Sequence, residues 1–102
     1  MSTRCIKSKD ISWKKNKSNN LMKNLINENG FGMDFFKLAP NEKIPMHKHP
    51  NIKYSYILKG SMSDETGEYS EGEVVVNEKD SEHSVTAGSK GCEFLVIYNE
   101  NS

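Results

Sequence analysis

From residue 31 onward the chain alternates short apolar segments with clusters of turn-forming residues. Met33 to Ala39 is one such segment, closed by Pro40-Asn41, and Ile44 to His49 is the next, closed by Pro50-Asn51. Tyr54 to Leu58 ends at Gly60, and a weaker, polar strand is predicted around Ser61 to Asp64. Thr66-Gly67 and Glu71-Gly72 are hairpin-turn signals. Val74-Val75-Val76 is an unbroken β-branched run, which predicts a strand buried on both faces. Asp80-Ser81 interrupts the pattern, His83 to Thr86 resumes it, and Gly88 to Gly91 is expected to turn the chain into a last strand, Cys92 to Asn99. Strands spaced about 8–12 residues apart with polar turns between them predict an all-β sandwich or barrel. A barrel of this size is filled by side chains or holds one small ligand or ion.

Residues 1–20 are polar, with Trp13 as the only large anchor, and read as an arm on a single domain spanning 21–102. Leu21-Met22 and Leu25-Ile26 recur at helical spacing, and Gly30 could end a helix. The run is short and everything after it is strand-like, so strand is the preferred assignment here too.

Composition narrows the class. At 102 residues the chain has room for one domain. Only 34% of residues are hydrophobic, so the core is thin and help is expected from a partner subunit, a bound metal, or both. A homodimer is expected, because sheet edges also need cover. No apolar run approaches the ~20 residues of a membrane span, so no membrane association is expected. The start, Met1-Ser2-Thr3-Arg4-Cys5, lacks the apolar stretch of a secretory signal. Cys5 and Cys92 lie too far apart in sequence to form a disulfide framework or a metal knuckle, and a reducing cytoplasmic setting is expected. The formal net charge is zero, but residues 1–59 hold twelve basic against four acidic residues and residues 60–102 hold two against ten. No nucleic-acid motif accompanies the basic stretch from Arg4 to Lys23. The two halves are expected to cancel within one sheet or between subunits, and nucleic acid is not an expected partner.

The histidines carry the chemistry. His47 and His49 are two apart, so on a strand both point to the same face. Imidazoles about 7 Å apart along a curved strand can share one metal ion. A third ligand must come from elsewhere, and His83 is the only other histidine in the chain. Any one of them alone would be an ordinary surface or hydrogen-bonded residue.

The segment from His47-Lys48-His49 through Lys53 to Gly60 resembles the first cupin motif, His-x-His-x3-Glu-x6-Gly. Gly72 to His83 resembles the second, Gly-x5-Pro-x-Gly-x2-His. The linker Ser63-Asp64-Glu65-Thr66-Gly67-Glu68-Tyr69 and the Gly91-Cys92 pair resemble the subgroup found in ChrR-type anti-sigma factors. The resemblance runs from about Trp13 to Tyr98. It implies an all-β cupin double-stranded β-helix, a jelly-roll barrel, that binds one divalent metal through His47, His49 and His83 and is usually a homodimer. Departures accompany it: Lys53 stands where the family carries its Glu ligand, Glu78 replaces a Pro, Asp80 a Gly, and Ala87 an Asn.

Three neutral imidazoles leave a divalent ion with its full charge, and an ammonium at Lys53 aimed at it would be strongly unfavourable. Lys53 must therefore turn outward, lose its proton, or bind an anion that also touches the metal. Histidine-only ligation favours Fe(II), Zn, Ni or Cu over Mg or Ca, with Fe(II) or Zn preferred on availability. The arrangement is similar to that of three-His cupin dioxygenases. That similarity implies a metal-dependent dioxygenase acting on a small anionic chelating substrate, with Lys53 holding the negative group and Tyr54 or Tyr56 orienting it. The alternatives are a non-catalytic module that binds or senses a metal or small ligand, and a metal-free relic. Glu42 and Glu82 are the acids near enough in sequence to act as a fourth ligand, though Glu82 should point away from His83. Cys92 reads as a structural cysteine. Trp13, Phe31, Phe35, Phe36 and Phe94 read as core or interface packing.

Overall fold

The computed structural model describes residues 2–100. A single turn of 3-10 helix, Ser8–Asp10, precedes eight strands: β1 (Lys14–Lys15), β2 (Leu21–Glu28), β3 (Phe31–Leu38), β4 (Lys43–Lys48), β5 (Lys53–Asp64), β6 (Gly67–Ser70), β7 (Val74–Asn77) and β8 (Glu82–Asn99). The expected all-β architecture is present, and residues 21–28 are strand rather than helix, paired antiparallel with β3. A bulge between Asn24 and Ile26 breaks the period-2 alternation there, which is how the apolar residues come to mimic helical spacing.

β5 and β8 organise the rest. The ladder runs β1-β2-β3-β8-β5-β6, with β4 added on β8 and β7 on β5, and it does not close. The first half of β5 (53–57) lies between β7 and the last half of β8, with β3, β2 and β1 beyond. The second half of β5 pairs with β6 and with the first half of β8, which in turn pairs with β4. Two sub-sheets thus share their two longest strands and fold onto one another.

The fold line passes through Gly60 and Gly91, at φ of +76° and +79°. A β-carbon on Gly60 would lie 2.0 Å from the Gly91 carbonyl oxygen, and one on Gly91 would lie 2.6 Å from that of Leu38. Only glycine satisfies both the left-handed backbone and the close crossing. The strand end expected at Gly60 and the turn expected over Gly88 to Gly91 are both bends within continuous strands. β5 runs through Gly60 to Asp64, and β8 runs unbroken from Glu82 to Asn99. Sheet pairing on both sides holds the strands extended through each bend.

One cluster forms the core: Leu38, Ile57, Val75, Phe94 and Val96 from one sub-sheet, Met62, Val85 and Ala87 from the other, and Cys92 beside the bend. β7 departs from expectation. Val75 is buried, but Val74 and Val76 are 59% and 45% exposed, because only one face of this strand meets the opposite sub-sheet. The N-terminal segment packs on the outer face of β2 and β3. Trp13 lies 4.9 Å from Phe35 between ring centroids. The Lys23 ammonium sits 4.7 Å over the Trp13 ring and donates to the Ser8 carbonyl at 2.8 Å, which accounts for a buried lysine.

Candidate metal centre

β4 and β8 bring the histidines together. His47 and His83 are directly opposed in the β4–β8 ladder, so their side chains leave the same face of neighbouring strands. His49 follows β4, with its N–H donating to the Ser81 carbonyl at 2.9 Å and its own carbonyl accepting from Asp80 N–H at 2.7 Å. The three ring centroids are 4.7, 4.7 and 4.8 Å apart. One nitrogen from each ring lies within 4.8 Å of the others. His49 and His83 are buried and His47 is partly so.

The hydrogen bonds orient the rings. His47 Nδ1–H donates to the Pro45 carbonyl at 2.9 Å, and His83 Nδ1–H donates to Asp64 Oδ2 at 3.0 Å. Both rings therefore turn an Nε2 lone pair inward. His49 Nε2 lies 3.0 Å from His83 Nε2, while His49 Nδ1 is buried without a hydrogen-bond partner among the described residues. With His83 Nε2 acting as acceptor, His49 Nε2 carries the proton, which a metal ion would replace. Burial, followed by repulsion from the other two imidazoles and Lys53, holds His49 down to about 4. Burial is also the main reason that His47 lies below its ordinary value, partly opposed by its bond to Pro45. Neutral imidazoles are the form that ligates a metal. The inward-facing ring nitrogens and their spacing, with His47 and His49 held neutral, fit a divalent ion held by His47, His49 and His83.

The rings line a cavity of about 260 Å³ between the sub-sheets. Phe36 and Phe94, stacked at 5.2 Å and 4° between planes, form part of its wall, as do Lys53 and Ser55 from β5. Lys53 does not turn outward: it lies on the cavity wall, its Nζ 5.1 Å from the centroid of the Tyr98 ring. Asn16 and Ser18 of the N-terminal segment also reach the cavity. Tyr54 and Tyr56 alternate with Lys53, Ser55 and Ile57 onto the outer face, 43% and 42% exposed, and do not line the cavity.

The remaining candidates occupy other roles. Glu42 accepts from the Asn20 side chain at 2.6 Å and from Ala39 N–H at 3.2 Å, closing the turn before β4. Glu82 is exposed. Burial pushes the Cys92 thiol up to about 11, helped by Glu93, so it is an inert core thiol. Phe36 and Phe94 wall the cavity, whereas Trp13 and Phe35 pack outside it.

Asp64 is the site residue that sequence reasoning passed over. Its Oδ1 accepts from Thr66 N–H and Oγ1–H (2.9 and 2.8 Å), Gly67 N–H (3.2 Å) and Tyr69 O–H (2.9 Å). Burial works against its charge, but the bonds from His83, Thr66 and Tyr69 outweigh it and hold the carboxyl at about 2. The sequence signal is an Asp opening a four-residue turn that ends in Gly. Nothing in the spacing points that turn at His83.

The ChrR cupin-like domain family is matched over residues 1–101. No curated protein matches the chain in sequence. Among solved structures, similarity extends to the complex of Rhodobacter sphaeroides SigE with the anti-sigma ChrR (TM-score 0.81, 18% identity). That alignment covers 91% of this chain but 52% of the other, so the present chain spans about half of that relative's length. The polyketide cyclase RemF from Streptomyces resistomycificus is similar at a TM-score of 0.85 and 22% identity, over 96% of this chain and 80% of that one. A candidate acetylacetone dioxygenase from Methylibium petroleiphilum gives 0.82 and 15%, over 97% and 78%. These identities speak for a shared cupin fold, on which enzymes and non-enzymes alike are built.

Proposed function

This chain belongs to the ChrR cupin-like family, and from that premise we propose that it binds one divalent transition-metal ion through His47, His49 and His83 and uses it to hold a small anionic chelating molecule. The observation that carries this reading is the convergence of three imidazoles on the wall of one cavity. Fe(II) or Zn suits such a donor set, with Ni and Cu as further options. The ion would supply Lewis acidity and, if it is iron, a route to O2. The chain's own residues would do the rest. Lys53, on the cavity wall, balances a negative group on the ligand. Phe36, Phe94 and Val96 supply the apolar part of a wall that also carries Asp34, Ser55 and Asn77.

The catalytic form of this proposal is a metal-dependent dioxygenase, with O2 as oxidant and both oxygen atoms passing to the cleaved organic substrate. Likeness to the candidate acetylacetone dioxygenase supports it. The second reading is a non-catalytic binding or sensing module. Two observations favour that reading: Tyr54 and Tyr56, the residues expected to orient a substrate, face outward, and a family relative is an anti-sigma protein.

Elemental analysis of the purified protein, beside His83→Ala, tests metal binding. Stoichiometric metal that the variant loses supports the reading, and metal-free wild type after growth with iron and zinc overturns it. O2 consumption by iron-loaded protein with a panel of β-diketones and thiols then separates enzyme from module.

A homodimer in a reducing cytoplasm completes the proposal. Tyr54, Tyr56, Val74 and Val76 form adjoining cross-strand pairs on β5 and β7, an uncovered apolar face that a second copy would bury. No helix among the described residues is long and apolar enough to cross a membrane.

A further inference from the structure

We propose that Asp64 is a positioning residue for the metal centre: it fixes His83 from behind and lends the ion, through that ring, the negative charge that no direct carboxylate ligand provides. The inference rests on the metal-binding reading above. The metal-capable group contains three histidines and no acid among the described residues. The nearest fixed negative charge in contact with any of the three rings is Asp64, at 3.0 Å from His83 Nδ1.

The two carboxylate oxygens divide the work. Oδ1 takes every bond from the β5–β6 hairpin: two from Thr66, one from Gly67 and one from Tyr69. Those bonds lock the side-chain torsions and leave Oδ2 aimed at His83 alone. Both side chains are buried, 6% and 10% exposed, so water competes poorly for the contact. The backbone ladder between β5 and β8 reaches its last pair in this direction at Ser63 and Thr86. Side chains continue it. Glu65 accepts from Ser84 N–H at 3.0 Å and from the Ser84 hydroxyl, so adjacent hairpin residues grip adjacent residues of β8. The hairpin thereby fixes both the backbone and the ring plane at His83.

A carboxylate behind a metal-bound imidazole sets its tautomer, orients its lone pair and raises its basicity, and losing such a partner typically costs 10–100-fold in metal affinity. A merely structural Asp64 would cap the hairpin and leave the ion indifferent. The two roles separate experimentally, because asparagine caps the same turn without the charge.

The test uses the full chain, stripped of metal, as wild type, Asp64→Asn and Asp64→Ala. Zinc affinity is measured by chelator competition, the ligand field by the visible spectrum of the cobalt(II) form, the His83 tautomer by ¹⁵N imidazole NMR, and the fold by the thermal midpoint of the metal-free protein. Expected are an Nδ1–H tautomer at His83 in wild type and a zinc affinity lowered about 10-fold in Asp64→Asn and up to about 100-fold in Asp64→Ala. The cobalt(II) bands should shift in both variants while metal-free Asp64→Asn stays folded, its midpoint lowered only by the loss of the stabilising carboxylate charge. Wild-type affinity and unchanged cobalt(II) bands in Asp64→Asn overturn the inference, as does an Nε2–H tautomer at His83 in wild type. Asp64→Asn decides alone if Asp64→Ala does not fold. Wild type that takes up no zinc, cobalt or iron overturns the metal-binding reading itself and the inference with it, a failure recognisable because it precedes any variant.

Discussion

The ammonium of Lys53 rests 5.1 Å from the centre of the Tyr98 ring, on the wall of the cavity into which the three imidazoles turn. The ring face offers the cation a partial counter-charge, and the side chain remains close enough to His47 and His49 to help depress both. The position that would place a carboxylate next to a metal ion thus holds a cation kept to one side of the cavity.

Replacing Lys53 tests that arrangement directly. Lys53→Glu should raise zinc affinity by about tenfold or more, since it exchanges repulsion for attraction across the cavity. Lys53→Met, which removes the charge alone, should raise it by a smaller factor. Chelator competition measures both, and a loss of affinity in Lys53→Met would show that the ammonium does not oppose the ion.

Metal removal should cost stability because the apolar core is small. An ion present at about 100 times its dissociation constant adds about 2.7 kcal/mol to the native state. For a domain of this size that corresponds to roughly 10–20 °C in thermal midpoint. Differential scanning calorimetry before and after chelator dialysis checks the figure.

Acid should destabilise the metal-free protein in two stages. His49 stays neutral down to about 4 in the fold against an ordinary 6.5, so between those values the unfolded chain binds a proton that the native one does not. Stability is therefore level above about pH 6.5 and falls as pH drops toward 4, with His47 adding to the same window. Asp64, held at about 2 against 3.8, contributes stability above pH 3.8 that disappears as pH falls through 2. Urea melts across this range should show the upper slope flattened in His49→Gln and the lower one flattened in Asp64→Asn.

Alanine at Gly60 should be among the most damaging single changes. It adds a β-carbon 2.0 Å from the Gly91 carbonyl oxygen at a φ of +76°, so the backbone strain of about 1–3 kcal/mol comes with a main-chain clash. A loss of at least about 3 kcal/mol in chemical denaturation is expected. An unchanged midpoint would mean that β5 and β8 do not cross there.

The exposed face of β5 and β7 makes a prediction about assembly. Sedimentation at micromolar concentration should give twice the monomer mass for wild type and the monomer mass for Tyr56→Glu with Val74→Glu. Both residues point away from the core, so the variant should keep its fold by circular dichroism. Monomeric wild type would remove the homodimer from the proposal.

Much of the molecule is legible in the alternation of apolar and polar residues, and its failures are instructive. Strand content, the hairpin at Thr66-Gly67 and the shared face of His47 and His49 follow from a period of two and from turn chemistry. Val74-Val75-Val76 misleads because β-branched residues favour strands whether or not both faces are covered. Gly60 looks like a strand end and Gly91 like part of a turn because a left-handed glycine serves equally to interrupt a strand and to bend a paired one. The cupin motifs, by contrast, identify the three histidines at once, since their spacing survives even where Lys53 has displaced the acid.

Local sequence decides which residues stand side by side: His47 with His49, Tyr54 with Tyr56, Asp64 with its own turn. It cannot decide which side is the inside, because alternation is symmetric until a second sheet covers one face. Folding the sheet along Gly60 and Gly91 makes that choice. It carries Lys53 and Ser55 to the cavity and both tyrosines to the surface, and it sets His83 opposite His47 with Asp64 behind it. Those contacts join residues 19 to 36 positions apart, and only long-range strand pairing, with its right-or-wrong register, brings such groups within bonding distance.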